Sequence, residues 1–165
     1  MILHAGLVAA FGPGGWRGVL IEGRSGAGKS DLALRALEAG FALVADDRVV
    51  VWRSAGRLYG RAPDTLRGLI EIRGLDVVSV PTLAFCRIAL VARCDDAASG
   101  RERLPEPSWT QYLDVRVPTI AAPALEASAP VKLRHALHHL GAGAEGAYQA
   151  RRVADELQRR DGESR

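Results

Sequence analysis

The stretch "GVLIEGRSGAGKSDLALRAL", residues 18–37, limits the folds open to this chain more than any other segment. An apolar run leads into a turn that fits G-x-x-x-x-G-K-[ST] at Gly23, Gly28, Lys29 and Ser30, with Arg24, Ser25, Gly26 and Ala27 between them. Leu32, Ala33, Ala36 and Leu37 then recur at helical spacing, and Gly40 stops the run. Strand, glycine-rich turn and helix in that order make a phosphate cradle. The glycines let several backbone N–H groups point at one place, and the helix N-terminus adds partial positive charge. Lys29 supplies a full charge for the β- and γ-phosphates, and the Ser30 hydroxyl suits Mg²⁺. The cradle predicts nucleotide binding and an α/β fold, but it is shared by motors, switches and kinases alike.

Composition narrows the class. A chain of 165 residues predicts one domain over 1–165 with a core of its own, needing neither disulfides nor a structural metal. Hydrophobic residues make up 48% and charged residues 25%, as in soluble globular proteins. Aromatic content is only 5%, so packing must rest on Ala, Val and Leu. A formal net charge of +3 with no block of like charges argues against a nucleic-acid partner. Cys86 and Cys94 fit no CxxC pattern and read as buried thiols in a reducing compartment. The opening "MILHAGLVAAFG" lacks a basic leader, and no run approaches the ~20 apolar residues that span a bilayer. The expected setting is the cytoplasm, away from membranes.

Along the chain, "ILHAGLVAAF" and "RGVLIEG" read as neighbouring strands broken by "GPGGW". "FALVA" is a short buried strand ending at Asp46-Asp47, and "VVVWR" with "GRLYGRA" forms a hairpin around Ser54-Ala55-Gly56. "LIEIRG", "VVSV" and "RIALVARC" continue the β pattern. Residues 99–130, which hold Pro105, Pro107, Pro118, Pro123 and Pro130, read as connecting structure. "PVKLRHALHHL" starts a helix at Pro130, residues 144–160 form a closing amphipathic helix, and the tail from about 158 to 165 frays. The expected class is α/β, β-rich with C-terminal helices.

The acidic residues bear on the reaction. Asp46 and Asp47 follow a strand soon after the cradle, where either a Mg²⁺ ligand or a base for an acceptor hydroxyl belongs. Neighbouring carboxylates on an extended chain point to opposite sides, so at most one should face the phosphates. Two solvated acids on a turn would look the same. Glu71 sits on an otherwise apolar strand beside Arg73 and reads either as a plain strand residue or as a ligand. His135, His138 and His139 share a helix without a third nearby ligand, so an amphipathic face explains them.

Four blocks in order, "LHAGLVA", "GRSGAGKSD", "LVADDRV" and "LIEIRGL", resemble HPr kinase/phosphorylase in a short form lacking its N-terminal domain. The resemblance runs from His4 to about Leu137, and "LVADDRV" followed by "EIRGL" is its specific part. It implies a P-loop kinase fold like that around the nucleotide of phosphoenolpyruvate carboxykinase. It also implies use of ATP and Mg²⁺ to phosphorylate a serine of the phosphocarrier protein HPr, in control of the phosphotransferase system. Removal of that phosphate by inorganic phosphate, giving pyrophosphate, and assembly as a hexamer belong to the same expectation. Carried over by position, Asp46 is the general base and His4 orients or neutralises it. Lys29 clamps phosphate, Ser30 and Glu71 hold Mg²⁺, and Arg103 steadies charge on the transferring group.

The chain departs from the family pattern at Arg24 and Asp31 in the cradle, where acidic Asp and Glu are common, and at Asp76 in place of a glycine. The Pro-Gly-Arg-Asn stretch associated with dephosphorylation is absent; "APVKLRHAL" stands there, with Lys132 and Arg134 as candidate substitutes. Two other readings compete. A small-metabolite kinase of the shikimate-kinase kind would leave "EIRGL" without a role. A nucleotide-dependent switch would need no base at all.

Overall fold

Alternating apolar residues near the N-terminus build the centre of the molecule. In the computed structural model, which describes residues 1–94 and 105–141, the first expected strand is split into β1 (Ile2–Leu3) and β2 (Gly6–Gly12). β2 pairs antiparallel with β3 (Gly15–Glu22), from Gly6 opposite Ile21 to Gly12 opposite Gly15. The turn between them is Pro13-Gly14, with φ of 88° at Gly14 and 93° at Gly15, a conformation only glycine adopts freely. Val8, Ala10, Val19 and Ile21 enter one buried cluster and Leu7, Ala9 and Leu20 the other. The period of two thus covers both faces of the sheet.

The helix after the cradle, α1 (Lys29–Glu38), lays Leu32, Ala33 and Ala36 on the first face. It ends as the glycine predicts: Gly40 has φ of 85° and donates to the Leu37 carbonyl at 2.9 Å, while Phe41 donates to Ala36 at 3.0 Å. β4 (Ala42–Ala45) then pairs antiparallel with β2 at the sheet edge. β5 (Val49–Ser54) and β6 (Arg57–Arg61) form the expected hairpin, turning through Ala55 and Gly56 at positive φ. After a small separate hairpin, β7 (Leu69–Ile72) with β8 (Asp76–Ser79), the chain enters β9 (Cys86–Arg93). β9 runs parallel to β3, and Ala89 is the extra residue where the pairing shifts.

Residues 99–130 are more than connecting structure. Within them β10 (Ser108–Tyr112) and β11 (Val115–Ala121) form a hairpin, and β11 joins β9 in parallel at Thr119–Val91 through Ala121–Arg93. The sequence hides this hairpin because its turn is Leu113-Asp114, both at positive φ, instead of a glycine pair, and because Pro118 lies inside a strand. The sheet's main path is β1-β5-β6-β9-β3-β2-β4, with β10 and β11 branching from β9. α2 (Ala129–His139), entered through Pro130, closes the first face with Leu133 and Leu137. The second face is closed by Val49, Val51, Leu58, Ile88 and Val117. Each fully buried Leu or Ile contributes about 1.5–3 kcal/mol. The expected helix over 144–160, the tail and Arg103 lie outside the described residues. Among the described residues, no helix is long and apolar enough to cross a membrane.

Candidate active site

β3 and β4 flank the antiparallel β2, so both run in the same direction. Their C-terminal ends, and the N-terminal end of β2 between them, therefore lie at one edge of the sheet. From that edge come the cradle after Glu22, Asp46-Asp47 after Ala45, and His4 just before β2. Antiparallel topology gathers what the sequence spreads over more than forty positions.

In the cradle, Gly23, Gly26 and Gly28 have φ of 154°, 80° and 89°. A side chain on Gly28 would also meet Ala124 Cβ at 3.1 Å, and Ala27 donates to Arg24 across a tight turn at 3.2 Å. Lys29 is buried, and its ammonium donates to the carbonyls of Gly23 at 2.9 Å and Arg24 at 3.0 Å, arched back over the turn. Gly26 has open space beside it, and Ser25 and Gly26 lie at the surface of the loop. This cradle fits a polyphosphate: a glycine-rich loop open at Ser25 and Gly26, a cation on the same loop, and a helix N-terminus behind it.

The two aspartates are held very differently. Asp46 is 5% exposed, accepts the Ser30 hydroxyl on Oδ1 at 2.9 Å and accepts the Glu71 backbone N–H on Oδ2 at 3.1 Å. Asp47 has φ of 63° at the centre of a three-residue turn closed by the Arg48 N–H on the Asp46 carbonyl at 2.7 Å. Its carboxylate is half exposed, 3.1 Å from Nδ1 of His4 and 3.2 Å from Nε of Arg48. The pairing expected between His4 and Asp46 is thus replaced by His4–Asp47. The physical reason is the turn: the chain leaves the extended conformation at Asp47, which carries its carboxylate to the His4 side and leaves Asp46 under the cradle. Ser30 and Asp46 together offer oxygen donors of the kind Mg²⁺ prefers. Glu71 reaches the site through its backbone, with its own side chain exposed.

Other named residues are occupied structurally. Asp31 accepts from Arg35 at 2.9 Å within α1. Lys132 pairs with Glu126 at 3.1 Å, and Arg134 donates to the Ala39 carbonyl while its guanidinium lies 5.0 Å from the Phe41 ring centroid. The Arg134 contacts place its guanidinium at the C-terminal end of α1, away from the cradle. His135 and His139 stack on the outside of α2 with no metal-binding group among the described residues. Sequence reasoning missed the support behind the cradle. Tyr112 donates to Glu22, the residue before Gly23, and Arg93 approaches the other Glu22 oxygen at 4.0 Å. Burial and then the Glu22 hydrogen bond raise the Tyr112 hydroxyl well above its usual range. No local signal reveals a contact spanning 90 positions.

The sequence profile of the HPr Serine kinase C-terminal domain matches residues 1–129. The chain belongs to that family. It is 38% identical over 131 residues to an HPr kinase/phosphorylase of Caldicellulosiruptor bescii and 37% identical over 132 residues to one of Latilactobacillus sakei. Each match covers 73% of this chain and 41% of the relative, so the chain spans about two fifths of those relatives' length. The fold agrees with the structure of the Hpr(Ser) kinase/phosphatase from Coxiella burnetii, at a TM-score of 0.70 and 23% identity, covering 84% of this chain and 94% of that one. The family's kinase fold is therefore the fold of this chain, and the α/β expectation holds.

Proposed function

We propose that this chain is an ATP- and Mg²⁺-dependent protein-serine kinase whose acceptor is the phosphocarrier HPr. The observation that carries the reading is the division of labour at one sheet edge: a buried Ser30–Asp46 pair under the cradle, and an accessible His4–Asp47 pair beside it. A nucleotide-gated switch needs only the first. Transfer to a hydroxyl needs both.

In this scheme the cradle N–H groups and Lys29 bind the phosphates and offset charge as it builds on the transferring group. Ser30, Asp46 and Glu71 would hold Mg²⁺, which when bound neutralises phosphate charge. Asp47 takes the proton of the acceptor serine as its oxygen bonds to the γ-phosphorus and the bond to ADP breaks. His4 orients the Asp47 carboxylate. The base role expected for Asp46 moves to Asp47, because Asp46 is buried beneath the cradle whereas Asp47 is half exposed beside His4, where an acceptor serine could reach it. Arg103 enters through its sequence motif alone. Cytoplasmic location, assembly as a homo-oligomer and the reverse, phosphorolytic reaction belong to the same proposal through the family resemblance.

The test incubates the pure protein with Mg-ATP and a bacterial HPr and looks for a mass gain of about 80 Da on a serine of HPr. The gain is expected to fall by about 100-fold or more in Lys29→Ala. Active, ATP-binding protein that leaves HPr unmodified would sink the reading. Phosphoserine-HPr with inorganic phosphate should yield pyrophosphate if the reverse reaction is present.

A further inference from the structure

The β10–β11 hairpin and the strip after it meet the cradle at both ends of the loop. At the exit, Ala124 Cβ lies 3.1 Å from where a side chain on Gly28 would begin. At the entry, Tyr112, the last residue of β10, donates its hydroxyl hydrogen to Glu22 Oε1. The Glu22 carbonyl also accepts the Cys94 N–H at 2.8 Å. The residue that leads into Gly23 is therefore held by both its main chain and its side chain.

The group that holds Glu22 is itself fixed. Arg93 approaches Glu22 Oε2 at 4.0 Å and donates to Thr110 Oγ1 at 3.2 Å. Thr110 and Thr119 join their hydroxyls at 2.8 Å across the hairpin. Tyr112 stands directly before a turn in which Leu113 and Asp114 have φ of 47° and 61°, a region costly for residues that carry a Cβ. Backbone strain of this kind collects where position matters to function.

Beyond Glu22 the loop has little to hold it. Gly23 has φ of 154°, and its carbonyl, with that of Arg24, accepts the Lys29 ammonium at 2.9 and 3.0 Å. A glycine has no side chain to anchor it, so the direction of its carbonyl follows from where Glu22 is held. Lys29 is buried, and these two carbonyls set where its charge stands on the loop.

We propose that Tyr112 is a positioning residue for phosphate binding: by holding Glu22 it sets the Gly23 carbonyl and, through it, the Lys29 ammonium that meets the polyphosphate. Arg93 is secondary, since its contact with Glu22 is long and its own side chain is half exposed. The inference rests on the nucleotide-binding part of the proposed function and needs nothing from the acceptor.

The test follows the Gly26 and Gly28 amides by NMR in the full chain while pyrophosphate and Mg-ATP are titrated separately. Tyr112→Phe removes one hydroxyl and should weaken the binding of both ligands about fivefold. Glu22→Gln still accepts from Tyr112 and should bind within about twofold of wild type, whereas Glu22→Ala should match Tyr112→Phe. Combining Glu22→Ala with Tyr112→Phe should weaken binding no further than either alone, because both act along one path. A role confined to stability would lower the urea midpoint of Tyr112→Phe and leave its affinities as in wild type, and that result overturns the inference. Additive losses in the double variant overturn it too, as does Glu22→Gln binding as weakly as Glu22→Ala. If the Glu22 variants fail to fold, the affinities of Tyr112→Phe decide alone. The readout involves no acceptor, so it stands apart from the HPr test. Wild-type amides that ignore both ligands would overturn the nucleotide reading, and this inference with it.

Discussion

At the scale of single residues, the deciding feature is a pair of adjacent aspartates with opposite environments. Asp46 is locked between Ser30 and the Glu71 N–H, and Asp47 is turned toward His4 and Arg48. Replacing each by Asn keeps its size but removes its charge. Asp47→Asn is expected to lower kcat about 100-fold or more while leaving the affinity for Mg-ATP unchanged, because a general base contributes about 10²–10⁴. Asp46→Asn should raise the Mg²⁺ concentration needed for half-maximal rate and weaken nucleotide binding. Steady-state kinetics at several Mg²⁺ concentrations separates the two. If Asp46→Asn removes only kcat and Asp47→Asn only metal dependence, the assignments are reversed.

At the scale of elements, the cradle depends on a segment far along the chain. Arg35 on α1 donates to the carbonyls of Ala124 and, at 3.2 Å, Glu126, which holds the 122–126 stretch against Gly28. Its third contact, to Asp31, is partly exposed and adds little. Arg35→Ala should cost about 1–2 kcal/mol in urea unfolding and also weaken ATP binding, since the strip beside the cradle loses its tie to α1. Wild-type ATP affinity in a destabilised but folded Arg35→Ala protein would show that the strip does not shape the cradle. The β10–β11 hairpin has a related part: it sets Tyr112 on Glu22 at the entrance to the cradle.

At the scale of the whole molecule, a sheet buried on both faces puts polar-capable groups where charge is disfavoured. Cys86 packs in the second core, so close to Gly18 that a methyl there would lie 2.5 Å from its sulfur. Burial pushes the Cys86 thiol up to about 12 from an ordinary 9.0. The folded state therefore keeps a proton that the unfolded state releases, and the stability this proton confers is complete below about pH 9 and lost as pH rises toward 12. Between those limits the slope from this one group approaches 1.4 kcal/mol per pH unit. Tyr112, also raised, acts in the same direction at higher pH. Chemical denaturation from pH 7 to 10.5 should show a shallower alkaline loss in Cys86→Ala than in wild type, measured from each protein's own pH 7 value. Equal losses would mean that the thiol ionises readily in the folded protein.

The sequence by itself determined the local chemistry: the cradle from Gly23 to Ser30, its flanking strand and helix, the β5–β6 hairpin and the family resemblance in "LVADDRV" and "EIRGL". Each rests on interactions within a few residues, and glycine conformation, helical spacing and strand alternation all act at that range. Tertiary structure decided the rest. It exchanged Asp46 for Asp47 as the partner of His4, because a turn at positive φ overrode the extended geometry that alternation assumes. It also made a sheet hairpin of a proline-rich stretch, and it brought Arg57, Arg87 and Arg116 to line one cavity. Those contacts join strands distant in sequence, and their register is fixed only when both sheet faces are buried together.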